Sequence, residues 1–335
     1  MSARSRLANL LKNFALSCVV FLLCFVVFEI TLRYFGYGNV EIYQPDTKLY
    51  WRLKPNQDCF TKIDHKPVHI NSRGTRGPEF EVPKPAQNIR ILSLGDSRTF
   101  GWGVSDEQTY SALLQSCLQQ AVGPQKKVEV INAGVNAWSY PQMLVYFREF
   151  GLKDQPDLVL LADANLWTQF SETNDPAFVR RFMRRVQLKN FLRHFAAYHF
   201  IVEVQLKNFY EQQRTKFIPV DPKHDALFKE QQKSDPNAVF RNAIVDLCQL
   251  ASQNNVKPVL LFQPTVDDLT KPGPVLETKR EVSAQLGAPL VDLTPEVQPQ
   301  GKSLYLADDP VHFNARGNEL IAARLCQAIT PLIKP

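Results

Sequence analysis

Three residues in this chain could together carry out nucleophilic chemistry. Ser97 stands in LGDSRTFGWGV, residues 94–104, between an apolar strand-like run and a helix-like stretch. A hydroxyl placed there lies near the positive end of a helix dipole, with backbone N–H groups turned toward whatever binds. Far along the chain, DDPVHFNARGNELIA at residues 308–322 sets His312 three positions after Asp309, just before a helix expected to begin near Asn314. A carboxylate that holds one ring nitrogen leaves the other free to take a proton from a serine hydroxyl. Each motif alone is weak, because Asp-Ser is an ordinary cap and turn pair and a loop histidine beside an aspartate is commonly a solvated surface group. Their weight comes from occurring together, one after the first strand and the other before the last helix.

The elements that must position them follow from residue 89 onward. Strands are expected at IRILSL ending at Leu94, at VEVINA (128–133), LVLLA (158–162), PVLLFQ (258–263) and PLVDL (289–293), and helices near 107–121, 139–151, 236–255, 276–286 and 314–330. This alternation predicts an α/β fold, a three-layer doubly wound parallel sheet with helices on both faces. Ligands bind such sheets outside the carboxyl ends of the strands, where both motifs fall.

Residues 166–235 break the alternation and are too long for a crossover loop, so a helical insertion is expected inside the 89–335 domain. QLKNF occurs there twice, at 187–191 and 205–209, an offset of five helical turns. A single helix through both would put the copies on one face; coincidence in a basic, low-complexity helix is the plainer reading.

Upstream, Phe14 to Phe28 carries no charge, and with the apolar residues that follow it makes a helix of about 20 residues, enough to cross ~30 Å of hydrocarbon. The expected organisation is a cytoplasmic N-terminus (1–12), a transmembrane anchor (13–35) and an extended arm (36–88) with short strands around Val68–Asn71. Arg4, Arg6 and Lys12 precede the run, so the positive-inside rule places the body outside the cytoplasm, in a bacterial-type periplasm. A cleaved signal peptide fits less well, since EITLRYFGYG offers no small-x-small cleavage site, and a buried core helix would not be apolar on every face.

At 335 residues with 44% apolar and 21% charged residues, the chain must bury a real core, which excludes global disorder and a multi-span membrane protein. Its net charge of +6 is unevenly spread: residues 1–35 carry +3 and residues 178–216 carry +7, leaving −4 for the rest. A mildly acidic body with two basic attachments argues against a nucleic-acid partner. The basic stretch RRFMRRVQLKNFLRHF (180–195) reads as a membrane-surface helix facing anionic lipid, as a site for an anionic polysaccharide, or as a solvated helix packing Phe182, Val186 and Phe191 on the body.

Cys18 and Cys24 lie in the apolar run, and the spacing of Cys59, Cys117, Cys248 and Cys326 fits no metal pattern. Cys117, Cys248 and Cys326 fall on apolar helix faces, where free buried thiols are expected. His65 and His69 are four apart, but Pro67 breaks the helix that would bring them to one metal. Gly95, Gly101 and Gly103 do not make a dinucleotide or phosphate-loop fingerprint.

Taken together, GDS at 95–97 and DPVH at 309–312 resemble the first and last blocks of the SGNH (GDSL-type) hydrolase family over roughly residues 89–330, the insertion aside. The resemblance implies an SGNH/flavodoxin-like sheet with Ser97 as nucleophile, His312 as base and Asp309 as the acid that orients it. INAGVNAWSYPQ (131–142) falls where the second block should, which puts Ala137 at the family's glycine donor, with Gly134 as the alternative. A backbone donor survives this change to alanine if the position needs no positive φ. In the third block Asn165 matches the family asparagine, while Asp163 replaces glycine and Leu166 replaces aspartate. The implied oxyanion donors are the N–H groups of Ser97 and Ala137 and the Asn165 amide, and an acid at 163 would oppose them unless paired or turned away.

The expected function is a serine esterase that removes acyl groups, O-acetyl foremost, from a cell-envelope glycan or lipid, with no metal or organic cofactor required. Two other readings stand beside it. An O-acyltransferase of polysaccharide export would use the same triad, and an inactive binding or scaffold module would account for Asp163 and Leu166.

Overall fold

In a computed structural model, residues 3–61, 65–166, 176–206, 235–271 and 273–333 are described. They fall into two compact units: Glu41–Gln187 with Pro219–Pro335, and Met1–Val40 with Leu188–Ile218.

The larger unit begins with two antiparallel ribbons, β1 (Tyr43–Asp46) with β2 (Tyr50–Leu53) and β3 (Gln57–Phe60) with β4 (Pro67–Ile70). Then come β5 (Ile89–Gly95), α2 (Ser97–Phe100), α3 (Tyr110–Val122), β6 (Val128–Gly134), α4 (Tyr140–Glu149) and β7 (Leu158–Leu161). The rest is α5 (Pro176–Leu192), which runs on into the smaller unit, then α6 (Pro236–Gln253), β8 (Lys257–Phe262), α7 (Pro274–Leu286), β9 (Leu290–Asp292) and α8 (Ala315–Ile333). In the smaller unit lie α1 (Ala3–Tyr34) and, beyond α5, a short turn Ala196–Tyr198 and a π-helix His199–Leu206.

All five strands β6-β5-β7-β8-β9 pair in parallel in that order. Alternate residues feed opposite faces, as the pleat requires. Leu92, Leu94, Val159 and Leu161 join the core with α4 and α6, whereas Ile91, Leu158 and Leu160 join the core with α3 and α8. The predicted three-layer sheet is present, with β5 at the point where its neighbours diverge, the ligand-binding crevice of open α/β sheets.

Two expectations are corrected. Residues 41–88, expected as an arm, belong to the compact unit of the sheet, and Leu49, Tyr50, Leu53 and Ile70 are fully buried in its core. Cys117 and Cys326, expected as free thiols, are disulfide-bonded, with Cα atoms 6.2 Å apart where α3 and α8 pack together. Cys248 is free and buried, and burial raises its pKa to about 12.

Within residues 166–235, the first half of α5 packs Phe178, Phe182 and Val186 on the core, with Phe182 stacked 5.4 Å from Trp51. No single helix carries both QLKNF copies, because α5 ends at Leu192 and the second copy starts in the π-helix and runs beyond the described residues. Residues 167–175 and 207–234 of the expected insertion also lie outside the description.

The smaller unit holds one helix long and apolar enough to cross a membrane, Asn9–Tyr34, with mean hydropathy 2.6.

Candidate active site

Ser97 is the first residue of α2, a single turn that starts directly beyond β5. Asp96 caps it by accepting the Arg98 N–H at 2.9 Å, and Gly101 ends it in the left-handed region at φ 89°. The turn is pressed against β6: a Cβ on Gly134 would come 2.2 Å from the Phe100 nitrogen, so only glycine lets α2 lie there. Its orphan carbonyls are met by Arg76, which donates to Phe100 O and Val104 O at 2.8 Å and to Asp106 at 2.6 Å. Burial lowers the Arg76 pKa, an effect the Asp106 carboxylate opposes.

The Ser97 hydroxyl lies 2.7 Å from His312 Nε2, and His312 Nδ1 lies 2.6 Å from Asp309 Oδ2. The other carboxylate oxygen accepts the N–H groups of Val311 (2.8 Å) and His312 (3.0 Å), so acid and base are fixed within one loop. Burial alone would raise the Asp309 pKa; the His312 ring and those two N–H groups outweigh it and bring it down to about 2. Asn314 anchors the loop by donating to Tyr305 O at 2.9 Å and by accepting the Gly317 N–H at 3.0 Å at the start of α8. Trp102 faces the imidazole with ring centroids 5.9 Å apart.

The expected oxyanion residues stand on the neighbouring strand ends. Asn165 donates its backbone N–H to Trp138 O at 2.9 Å and its side-chain amide to the same oxygen at 3.1 Å, which ties the β7 end to the Ala137 loop. Ala137 has φ 65°, so the condition that this position needs no positive φ is not met. Alanine there bears a cost of roughly 1–2 kcal/mol that glycine would not. Gly134, the alternative donor, gives its N–H to Asn132 Oδ1 at 3.0 Å; its role is the close approach to α2.

That loop is braced from residues 41–53, a support the sequence did not reveal. Trp51 Nε1 donates to Asn136 O at 3.0 Å, Trp138 Nε1 donates to Trp51 O at 2.9 Å, and Asn136 donates to the Tyr43 hydroxyl at 2.8 Å. These bonds fix the chain on both sides of Ala137, whose left-handed backbone persists only where its surroundings hold it.

Asp163 is 1% exposed and turned into the protein. Its Oδ1 accepts from Lys279 Nζ at 2.7 Å and from the Tyr140 hydroxyl at 3.0 Å, and its Oδ2 accepts the Gln263 N–H. Arg98 holds both Asp96 oxygens and comes within 3.9 Å of Asp163. The two acids and two bases compensate one another beneath the site, so Asp163 does not act on it as an unpaired charge. Burial lowers the Lys279 pKa against the pull of Asp163; for Arg98, burial also lowers it, but Asp96 and Asp163 prevail and raise it. The sequence did carry a signal for Lys279, since it falls at helical spacing between Leu276 and Val282, which are both buried.

The chain matches a family model and resembles solved structures at low sequence identity. Residues 93–320 match the model of the GDSL-like lipase/acylhydrolase family. No curated protein matches the chain. Among solved structures, a lipase/acylhydrolase from Enterococcus faecalis is 17% identical, with 74% of this chain and 98% of that one covered and a TM-score of 0.46. A psychrotrophic esterase from Pseudoalteromonas sp. is 14% identical, with coverage of 73% and 98% and a TM-score of 0.43. An acetyl xylan esterase is 16% identical, with coverage of 72% and 100% and a TM-score of 0.42. The match over more than half the chain, with a serine opening α2 beyond the switch-point strand, makes this protein a member of the GDSL-like lipase/acylhydrolase family and an ester hydrolase by class.

Proposed function

We propose that the chain is a membrane-anchored serine esterase that hydrolyses acyl esters, O-acetyl foremost, on a cell-envelope glycan. The observation that carries this reading is the hydrogen-bonded sequence Ser97–His312–Asp309, at 2.7 and 2.6 Å. His312 Nε2 takes the hydroxyl proton as Ser97 Oγ attacks the ester carbonyl; the tetrahedral oxyanion is held by the N–H groups of Ser97 and Ala137 and by the Asn165 amide. His312 then protonates the leaving alkoxide, and water, deprotonated by the same imidazole, releases the acid from the acyl-enzyme. Asp309 stays a carboxylate throughout and stabilises the imidazolium.

The location follows from α1 and its basic N-terminal flank, which orient the body outside the cytoplasm. The Cys117–Cys326 bond agrees with an oxidising compartment. Of the two departures behind the scaffold reading, Asp163 is paired with Lys279, which leaves Leu166 as its support.

The test is hydrolysis of a chromogenic acetate ester by the full-length protein in detergent, beside Ser97→Ala. The variant should lose about 10⁴-fold or more in kcat/KM. Equal rates would sink the proposal, and acetyl appearing on an added glycan faster than free acetate would reassign the same triad to acyl transfer.

A further inference from the structure

The smaller unit joins α1 to a segment with its own exposed apolar side chains. Glu29 of α1 accepts the backbone N–H groups of Ala196 (2.8 Å) and Ala197 (3.0 Å), and Arg33 donates to the His194 carbonyl. Leu32 packs with Ala196 and Ala197, and Phe28 and Tyr37 meet Phe200 edge-on at 6.4 and 4.9 Å. The segment is therefore fixed to the last turns of α1. Even so, Leu188 (59%), Phe191 (61%), Ile201 (44%), Val202 (39%) and Leu206 (42%) remain open.

The depth of that junction can be counted. Hydrocarbon about 30 Å thick takes about 20 residues at 1.5 Å each, which counted from Phe14, where the uncharged run begins beyond Lys12, reaches Arg33. Whatever is hydrogen-bonded to Arg33, the His194 carbonyl included, thus lies at the boundary of acyl chains and headgroups. Leu188 and Phe191 are three apart and share a face of the part of α5 that lies in the smaller unit.

We propose that the segment Leu188–Leu206 lies in the interfacial layer of the leaflet in which α1 ends, its apolar side chains entering the acyl boundary. A lipid surface fits better than a protein partner because the patch is hydrogen-bonded to, and continuous with, the end of a membrane span. The proposal rests on reading α1 as an anchor.

It is tested on the full-length chain in vesicles of phosphatidylcholine with phosphatidylglycerol. In a Cys18→Ala, Cys24→Ala background, nitroxide labels are placed through Phe191→Cys or Ile201→Cys, with Val20→Cys in the span and a free nitroxide in the buffer as references. Retained ester hydrolysis verifies folding. Labels at 191 and 201 should be relaxed several-fold more by oxygen than by a water-soluble nickel chelate, and the free nitroxide the reverse. If 191 and 201 behave like the free nitroxide while 20 is lipid-buried, the proposal falls and the anchor stands; a water-exposed label at 20 removes both.

Discussion

The two sides of the candidate site are held in different ways. On the triad side, Asp309 and His312 share one short loop with three hydrogen bonds between residues 309 and 312, and a single contact joins them to Ser97. On the oxyanion side the main braces are distant in sequence: the Ala137 loop is braced by Trp51, and Asp163 is balanced by Lys279, more than a hundred residues away. The candidate reacting groups stand in short motifs, while the supports that set their geometry come from distant side chains with no motif of their own.

The strongest way to test the local side is Asp309→Asn, which should lower kcat/KM by about 10⁴-fold by presenting His312 in the wrong tautomer. A native pKa of about 2, below the usual carboxylate value of about 3.9, means that Asp309 stabilises the fold above about pH 4 and loses that contribution as pH falls toward 2. A kcat/KM profile should therefore show no inflection from this carboxylate at weakly acidic pH; one that vanished in Asp309→Asn would break the argument.

The distant side breaks through stability. Lys279→Met strands the Asp163 carboxylate and should cost about 3–5 kcal/mol in denaturant unfolding, most of it recovered on adding Asp163→Asn. A loss below about 1 kcal/mol would mean the pair is not what compensates Asp163. Asn165→Ala sharpens the contrast: turnover should fall about 10²- to 10³-fold through loss of one oxyanion donor, and an unchanged turnover would remove Asn165 from the hole. The smallest effect belongs to Ala137→Gly, expected to gain roughly 0.5–1 kcal/mol by relieving a left-handed alanine, partly offset by the freer unfolded chain, with activity little altered. A destabilised variant would show that the alanine methyl is packed rather than strained.

Strand positions were legible because their apolar runs are short and continuous: the expected 128–133 is found as Val128–Gly134. The helix expected from 107 starts at Tyr110, because Ser105 and Gln108 form a capping box around a 3₁₀ turn and Thr109 caps the helix proper. Residues 36–88 look like an arm because their prolines and polar residues hide any alternation; Leu49, Tyr50 and Leu53 are buried only by joining the core of α4 and α6, with Tyr50 against Phe178 and Phe182 of α5. Ser97, His312 and Asp309, which the structure brings together, stand out in the sequence because the chemistry proposed for them demands those residue types. The disulfide and the Asp163–Lys279 pair were not, since each joins side chains whose proximity only the fold creates.

The disulfide also bears on proteolysis. Its two cysteines are 209 residues apart and enclose Asn165, Lys279, Asp309 and His312, with Ser97 just outside the ring. A protease that cuts once between Cys117 and His312 leaves two fragments joined covalently, the piece with Ser97 still tied to the piece with His312. Nicked protein would therefore migrate as two bands only after reduction, and a nick by itself would not release half of the site from the other.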